Sequence, residues 1–147
     1  MNEELSNKLL DDFPRLYRDR HDSSIQRGFE CSDGWFDLIY QLSLDIEAVA
    51  REYGLSPDSP EWPKCRQVKE KLGSLRFVVF ANEQHRAMYK RIGELILSAL
   101  NQSVKICEYC GKPGELVTRH GISTLCPEHA RQAAIDPAFL PPGYLRW

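Results

Sequence analysis

Four potential metal ligands lie in two close pairs in the last third of the 147-residue sequence. Cys107 and Cys110 form the first pair, and Cys126 and His129 form the second. Thiolate sulfur and imidazole nitrogen are the ligands that zinc takes in tetrahedral protein sites. Because the set mixes three sulfurs with one imidazole, it favours zinc over iron. The sequence therefore predicts one bound Zn²⁺.

The residues around the two pairs predict how the chain brings them together. Gly111 directly follows the second cysteine and allows the tight turn of a zinc knuckle. Residues 115–125 predict a short hairpin that turns near His120. Pro127 suits the first turn of a helix, so the second ligand pair should open one. Knuckle, hairpin and helix in this order form the treble-clef arrangement.

The predicted role of this zinc is structural, because protein ligands fill all four positions and leave none for water or substrate. Two kinds of enzyme remain as alternatives, a treble-clef nuclease and a zinc deaminase. The nuclease needs an Asn and a second His placed around His120, which the sequence lacks. The deaminase needs a His-x-Glu before the cysteine pair, which is also missing. The sequence therefore predicts no catalytic residues.

The remaining elements predict an α+β fold in which helices pack on a small antiparallel hairpin. Apolar residues at three- and four-residue steps predict helices over about 34–53 and 83–101. The hairpin should span about 65–80 with its turn at Gly73-Ser74. Shorter helical segments are expected at 3–10 and 13–20.

This pattern divides the chain into three parts. Residues 1–102 should form the α+β body, and residues 103–135 the zinc-binding treble clef, called the C-terminal unit below. The proline-rich, apolar tail of residues 136–147 is expected to pack on the body. The two isolated cysteines, Cys31 and Cys65, are expected to be small buried side chains.

Composition places the protein among ordinary globular chains, with 42% hydrophobic and 27% charged residues. No apolar run approaches the roughly 18 residues of a membrane span. The first residues are acidic and amphipathic, unlike a signal peptide, so the expected location is the cytoplasm. The sequence leaves the oligomeric state open.

Charge is distributed unevenly along the chain. Residues 1–62 carry 6 Lys and Arg against 14 Asp and Glu, whereas residues 63–147 carry 13 against 7. Such segregation favours a charged partner, either an acidic protein surface or nucleic acid. A solvated hairpin face is the alternative explanation of the basic 64–91 segment. The candidate partner-binding residues are Lys69, Lys71, Arg76, Lys90 and Arg91.

A protein partner is the leading hypothesis, because a closed metal site and mixed charge suit a binding module. A nucleic-acid partner is the second, since Trp62, Phe80 and Tyr89 would stack on bases if they were exposed. The overall acidity of the chain weakens this second hypothesis.

Four short motifs span most of the chain. They read GWFDLI at 34–39, QVKEKLGSLRF at 67–77, CEYCG at 107–111 and TLCPEH at 124–129. Together they resemble a family of uncharacterised small bacterial and prophage proteins. The resemblance implies a zinc-binding treble clef in a one-unit architecture, and it brings no enzymatic activity. The association with mobile elements implies an accessory, partner-binding role, such as that of an immunity or anti-defence protein.

Overall fold

A computed structural model describes residues 1–18, 28–80, 82–118, 121–136 and 139, and it confirms the α+β class. The helices are α1 (Glu3–Asp12), α2 (Phe36–Glu52), α3 (Arg86–Ser103) and α4 (Pro127–Ile135). The strands are β1 (Cys65–Lys71), β2 (Ser74–Val79), β3 (Glu115–Val117) and β4 (Ser123–Leu125). Strands β1 and β2 form one antiparallel sheet, and β3 and β4 form another. Short 3-10 turns, Asp33–Trp35 and Glu83–His85, lead into α2 and α3.

The main core lies between α2, α3 and the inner face of the β1–β2 hairpin. The apolar stripe predicted for α2 is buried except for the half-buried Leu38, and Met88, Ile92 and Ala99 of α3 are buried as well. Strand alternation places Val68, Leu75 and Phe77 in the same core. The apolar pattern of the helix predicted at 83–101 also predicts that Leu97 faces inward, but this side chain is 57% exposed. It lies five residues from Ile92, which at 3.6 residues per turn points it to the opposite side.

The turn of the β1–β2 hairpin differs from the prediction by one residue. Lys71 pairs with Ser74, so Leu72 and Gly73 form the turn in place of Gly73-Ser74. Their φ angles of 53° and 77° are both positive, which is the signature of a type I′ turn. Glycine adopts this region freely, whereas a leucine there costs about 1 kcal/mol.

The predicted helical segment at 13–20 is wrong over its described residues. Phe13 ends α1 by donating its backbone N–H to Leu9 O at 3.0 Å. Pro14 has no N–H with which to continue the helix. Residues 14–18 form turns instead, and Arg18 donates to the carbonyl oxygens of Pro60, Trp62 and Pro63. Residues 19 and 20 lie outside the described residues.

The sequence also predicts that the side chain of Ser32 or Asp33 caps the first long helix, and the structure differs from this prediction. Ser32 occupies the cap position, but its side chain makes no capping hydrogen bond. The Asp33 carboxylate instead accepts from the backbone N–H and side-chain amide of Asn2, at 2.7 and 2.8 Å. The carboxylate thereby ties α1 to the entry of α2.

The C-terminal unit is joined to this same entry by hydrogen bonds to its main-chain carbonyl oxygens. Gly34 N–H donates to Glu108 O at 2.7 Å, and the Trp35 indole N–H donates to Ile106 O at 2.9 Å. A Cβ placed on Gly34 would lie 2.2 Å from Cys107 O and 2.5 Å from Gly111 N. Only a glycine lets the two backbones approach this closely. The division of the chain near residue 103 stays a prediction.

We expect Gly34→Ala to destabilise the protein by at least about 1–3 kcal/mol, because its new methyl group meets main-chain atoms that cannot move aside. The control is Gly93→Ala in α3, whose Cβ would meet nothing within 4 Å. That change should stabilise by about 0.5–1 kcal/mol, since alanine favours a helix over glycine. Denaturant unfolding of both variants measures the two effects. Equal stability of Gly34→Ala and wild type would contradict the close approach.

Candidate metal centre

The four predicted ligands converge on one point, with their ligand atoms all within 4.8 Å of one another. His129 Nδ1 lies 3.3 Å from Cys107 Sγ and 3.3 Å from Cys126 Sγ. Cys110 Sγ and Cys126 Sγ are 3.8 Å apart. The imidazole therefore directs Nδ1, not Nε2, at the sulfurs of Cys107 and Cys126. Such a cluster can hold a metal ion.

A tight turn presents the first ligand pair. Gly111 N–H donates to Cys107 O at 2.9 Å, and Cys107 N–H donates to Lys112 O at 2.7 Å. Gly111 has a φ of 75°, which explains why a glycine follows the second cysteine. Ile106 and Pro113 form an isolated antiparallel bridge that closes the turn. The predicted knuckle is thus confirmed.

The β3–β4 hairpin and α4 present the second pair. The register Glu115↔Leu125 places Cys126 immediately after the end of β4. Cys126 is the N-cap residue of α4, with Pro127 in the first turn as predicted. Glu108 N–H donates to Thr124 O at 3.0 Å and fastens the knuckle to this hairpin. The turn of the hairpin, with His120, lies outside the described residues.

Two aromatic rings pack around the imidazole of the cluster. The rings of His129 and Phe139 stack with centroids 5.6 Å apart, and those of Tyr109 and Phe139 with centroids 4.7 Å apart. Tyr109 O–H donates to Phe139 O at 2.6 Å. Of the predicted tail, only Asp136 and Phe139 are described. At Phe139 the tail packs on the C-terminal unit.

The two buried cysteines of the cluster differ in their readiness to ionise. Burial raises the pKa of Cys107 to about 11. Burial also acts to raise the pKa of Cys126, but the backbone N–H groups of His129 and Glu128 and the neighbouring thiols outweigh it, and the net direction is downward. The start of α4 therefore favours a thiolate at Cys126.

Glu108 has a structural role that the sequence analysis missed. It lies inside the knuckle and is 0% exposed, although carboxylates are almost never fully buried without a partner. Its Oε1 accepts a 3.0 Å hydrogen bond from the N–H of Ser32, which directly precedes the 3-10 turn that leads into α2. The residue therefore links the candidate ligand cluster to the body by its side chain as well as by its main chain. Its position between two cysteines gave no signal of this, since Ser32 is 76 residues away.

The candidate partner-binding residues fall into two groups. Lys69, Lys71 and Arg76 lie on the outer face of the β1–β2 hairpin, opposite the core. Lys90 borders an open cleft on α3. Arg91 makes an ion pair with Glu52 of α2. The structure thus separates the hairpin cations from those of α3.

The aromatic residues proposed for base stacking are only partly available. Trp62 is 1% exposed, and its indole N–H donates to Glu47. Phe80 is 41% exposed, with Lys64 Nζ 4.8 Å from its ring centroid. Tyr89 is half-buried. Trp62 is therefore too buried to stack on a nucleobase.

The two isolated cysteines are buried, as predicted. Burial raises the pKa of Cys31 to about 12 and that of Cys65 further still. Both side chains act as apolar core residues, because a thiol with so high a pKa is a poor nucleophile.

Comparison of the chain with protein-family models, with curated proteins and with solved structures finds no match. The family resemblance based on the four motifs therefore stays a prediction. Within the described residues, none of the helices combines the length and apolar character that crossing a bilayer requires.

We expect Glu108→Ala to destabilise the protein by about 2 kcal/mol or more, because it leaves Ser32 N–H without its acceptor and empties a buried site. Glu128→Ala is the matched control. This side chain is 58% exposed, and its one ion pair, with Lys112 Nζ at 3.6 Å, is a solvent-exposed contact. Its loss should cost less than about 1 kcal/mol. Chemical denaturation with metal in excess measures both. Equal effects of the two variants would show that Glu108 does not join the two parts.

Proposed function

We propose that Cys107, Cys110, Cys126 and His129 hold one structural Zn²⁺, and that the protein is a non-catalytic protein-binding module stabilised by this ion. The observation that carries the first part is the convergence of four protein ligands on one point. The ion would neutralise the thiolate charge and cross-link two separate chain segments.

The ligand distances fit this assignment. Zinc–sulfur bonds of about 2.3 Å in a tetrahedron put two sulfurs about 3.8 Å apart. The distance between Cys110 Sγ and Cys126 Sγ is 3.8 Å. With a zinc–nitrogen bond of about 2.0 Å, the sulfur–nitrogen edge is about 3.5 Å. The two observed distances to His129 Nδ1 are 3.3 Å, close to that edge.

The small core of the C-terminal unit supports a structural role. Its buried apolar cluster comprises Cys107, Leu125, Cys126 and Ala133, two of which are themselves ligands. The four hydrophobic residues packed against this cluster, Tyr109, Val117, Ala130 and Phe139, are only partly buried. So small a core cannot offset the conformational entropy of some thirty ordered residues. Structural zinc contributes on the order of 10 kcal/mol to small units of this kind. The ion therefore supplies the stability that the core lacks.

The protein-binding part of the proposal is supported by exposed basic side chains on a hairpin that the C-terminal unit braces. Thr124 Oγ1 donates to Gly73 O at 2.7 Å, so the zinc unit contacts the hairpin turn directly. An accessory role, such as immunity or anti-defence, follows from the resemblance to prophage proteins. Nucleic-acid binding is the second candidate, favoured by the exposed ring of Phe80 between cationic side chains.

We expect the purified, reduced protein to carry one zinc per chain in native mass spectrometry. Removal of the ion by a chelator should expose residues 107–135 to limited proteolysis while α2 and α3 stay protected, because those helices have their own core. Cys110→Ser should abolish stoichiometric zinc, whereas Cys31→Ala should retain it. A metal-free wild type with a protease-resistant C-terminal unit would contradict the proposal.

We expect zinc affinity to rise with pH, because protons compete with the ion for thiol sulfur. Since burial raises the pKa of Cys107 to about 11, this thiol must lose a proton for the ion to bind at neutral pH. At pH values below that pKa, each proton that the ion displaces makes the apparent Kd fall about tenfold for every unit by which the pH rises. Competition with a chelating indicator between about pH 6.5 and 8.5 measures the slope. A Kd that does not change with pH would rule out thiolate ligation.

A further inference from the structure

An exposed leucine occupies the turn of the β1–β2 hairpin. Leu72 is 59% exposed and has a φ of 53°, the only positive φ of a non-glycine residue in the described chain. Asparagine and aspartate suit this position of a type I′ turn, because their short polar side chains tolerate positive φ. Neither folding nor solubility explains a leucine here. Strained positions of this kind cluster at functional sites.

A second exposed leucine lies beside the turn. Leu116 of β3 is 51% exposed. A Cβ placed on Gly73 would lie 2.3 Å from Leu116 Cδ1, so this side chain covers the turn backbone. The tip of the hairpin thus offers apolar groups from both sheets. Exposed apolar side chains that are close together and surrounded by polar groups are typical of protein interaction sites.

Two hydrogen bonds fix the tip in position, one of them buried. Gly73 N–H donates to Glu70 Oε1 at 2.6 Å, and Gly73 O accepts from the fully buried Thr124 hydroxyl at 2.7 Å. The turn is therefore held from the hairpin on one side and from the C-terminal unit on the other. A surface fixed in this way loses little conformational entropy when a partner binds.

Cations border the apolar tip. Lys69 and Arg76 face each other across the two strands, and Lys71 is exposed directly before Leu72. Within the described part of the chain, no ion pair involves any of these three. Like charges directly opposite each other destabilise a sheet. A partner that brings carboxylates would remove this repulsion.

We infer that the hairpin tip, formed by Leu72 and Leu116 with Lys69, Lys71 and Arg76 at its border, is the docking surface for a protein partner. The partner presents an apolar pocket bordered by Asp and Glu side chains. An apolar centre with a polar rim is the usual anatomy of protein interfaces. Phosphates and bases would gain nothing from the two leucines, so the tip favours a protein over nucleic acid. This inference rests on the proposed protein-binding function.

The test begins with a photo-crosslinking amino acid placed at position 72, and separately at position 97, in the native host. Leu97 is the matched control because it is equally exposed but lies on α3. The protein crosslinked at position 72 is then purified, and its Kd is measured for wild type, Leu72→Asn, Leu97→Gln and the double variant Lys69→Glu with Arg76→Glu. A single-stranded DNA oligonucleotide is titrated in parallel.

We expect Leu72→Asn to weaken binding of the partner at least about tenfold, because the apolar side chain is lost. The same change should raise the melting temperature by about 2 °C, because asparagine adopts the positive φ of this turn with less strain. The charge-reversed variant should also lose about tenfold, and wild-type affinity should fall with added salt. Leu97→Gln should bind within about twofold of wild type. A higher melting temperature together with weaker binding separates a docking role from misfolding.

Three results would overturn the inference. If Leu72→Asn bound the partner protein as tightly as wild type does, Leu72 would not be part of the docking surface. Crosslinking of a partner at position 97 but not at 72 would leave the protein-binding function standing and place the interface elsewhere. DNA binding that the charge-reversed variant loses, without a crosslinked protein at either position, would favour nucleic acid and contradict both proposals.

Discussion

Two separate chain segments place three sulfurs and one imidazole nitrogen within 4.8 Å of one another, and the C-terminal unit depends on this convergence. Thiolates this close repel each other unless a cation lies between them. Protonated thiols would offer only weak hydrogen bonds in return. The unit has too few apolar side chains to hold the segments together by burial alone. The proposed Zn²⁺ resolves this conflict, because it turns mutual repulsion into four strong bonds.

The consequences of this convergence extend beyond the ligands. The knuckle contacts the entry of α2 through Gly34 and Glu108, and the β3–β4 hairpin contacts the β1–β2 turn through Thr124. The cluster of candidate ligands, the entry of α2 and the turn of the β1–β2 hairpin are therefore connected by direct hydrogen bonds. A surface that docks a partner gains from such bracing, since it does not have to be ordered at the moment of binding.

Features set by local residue patterns could be predicted from the sequence. Spacing in the sequence identified the four residues whose side chains converge, and apolar periodicity identified α2 and α3. Each of these patterns can be recognised among residues that lie near one another in the sequence. Features set by distant partners were missed. The burial of Glu108 depends on Ser32, and the use of the Asp33 carboxylate depends on Asn2. The hairpin turn was misplaced because glycine was expected at its first position, whereas the strand register puts Leu72 there.

X-ray absorption at the zinc edge of the purified protein tests the central claim most directly, because it measures the ligand shell itself. The account predicts three sulfur neighbours at about 2.3 Å and one nitrogen neighbour at about 2.0 Å. A shell of oxygen and nitrogen alone, or zinc far below one per chain, would contradict it.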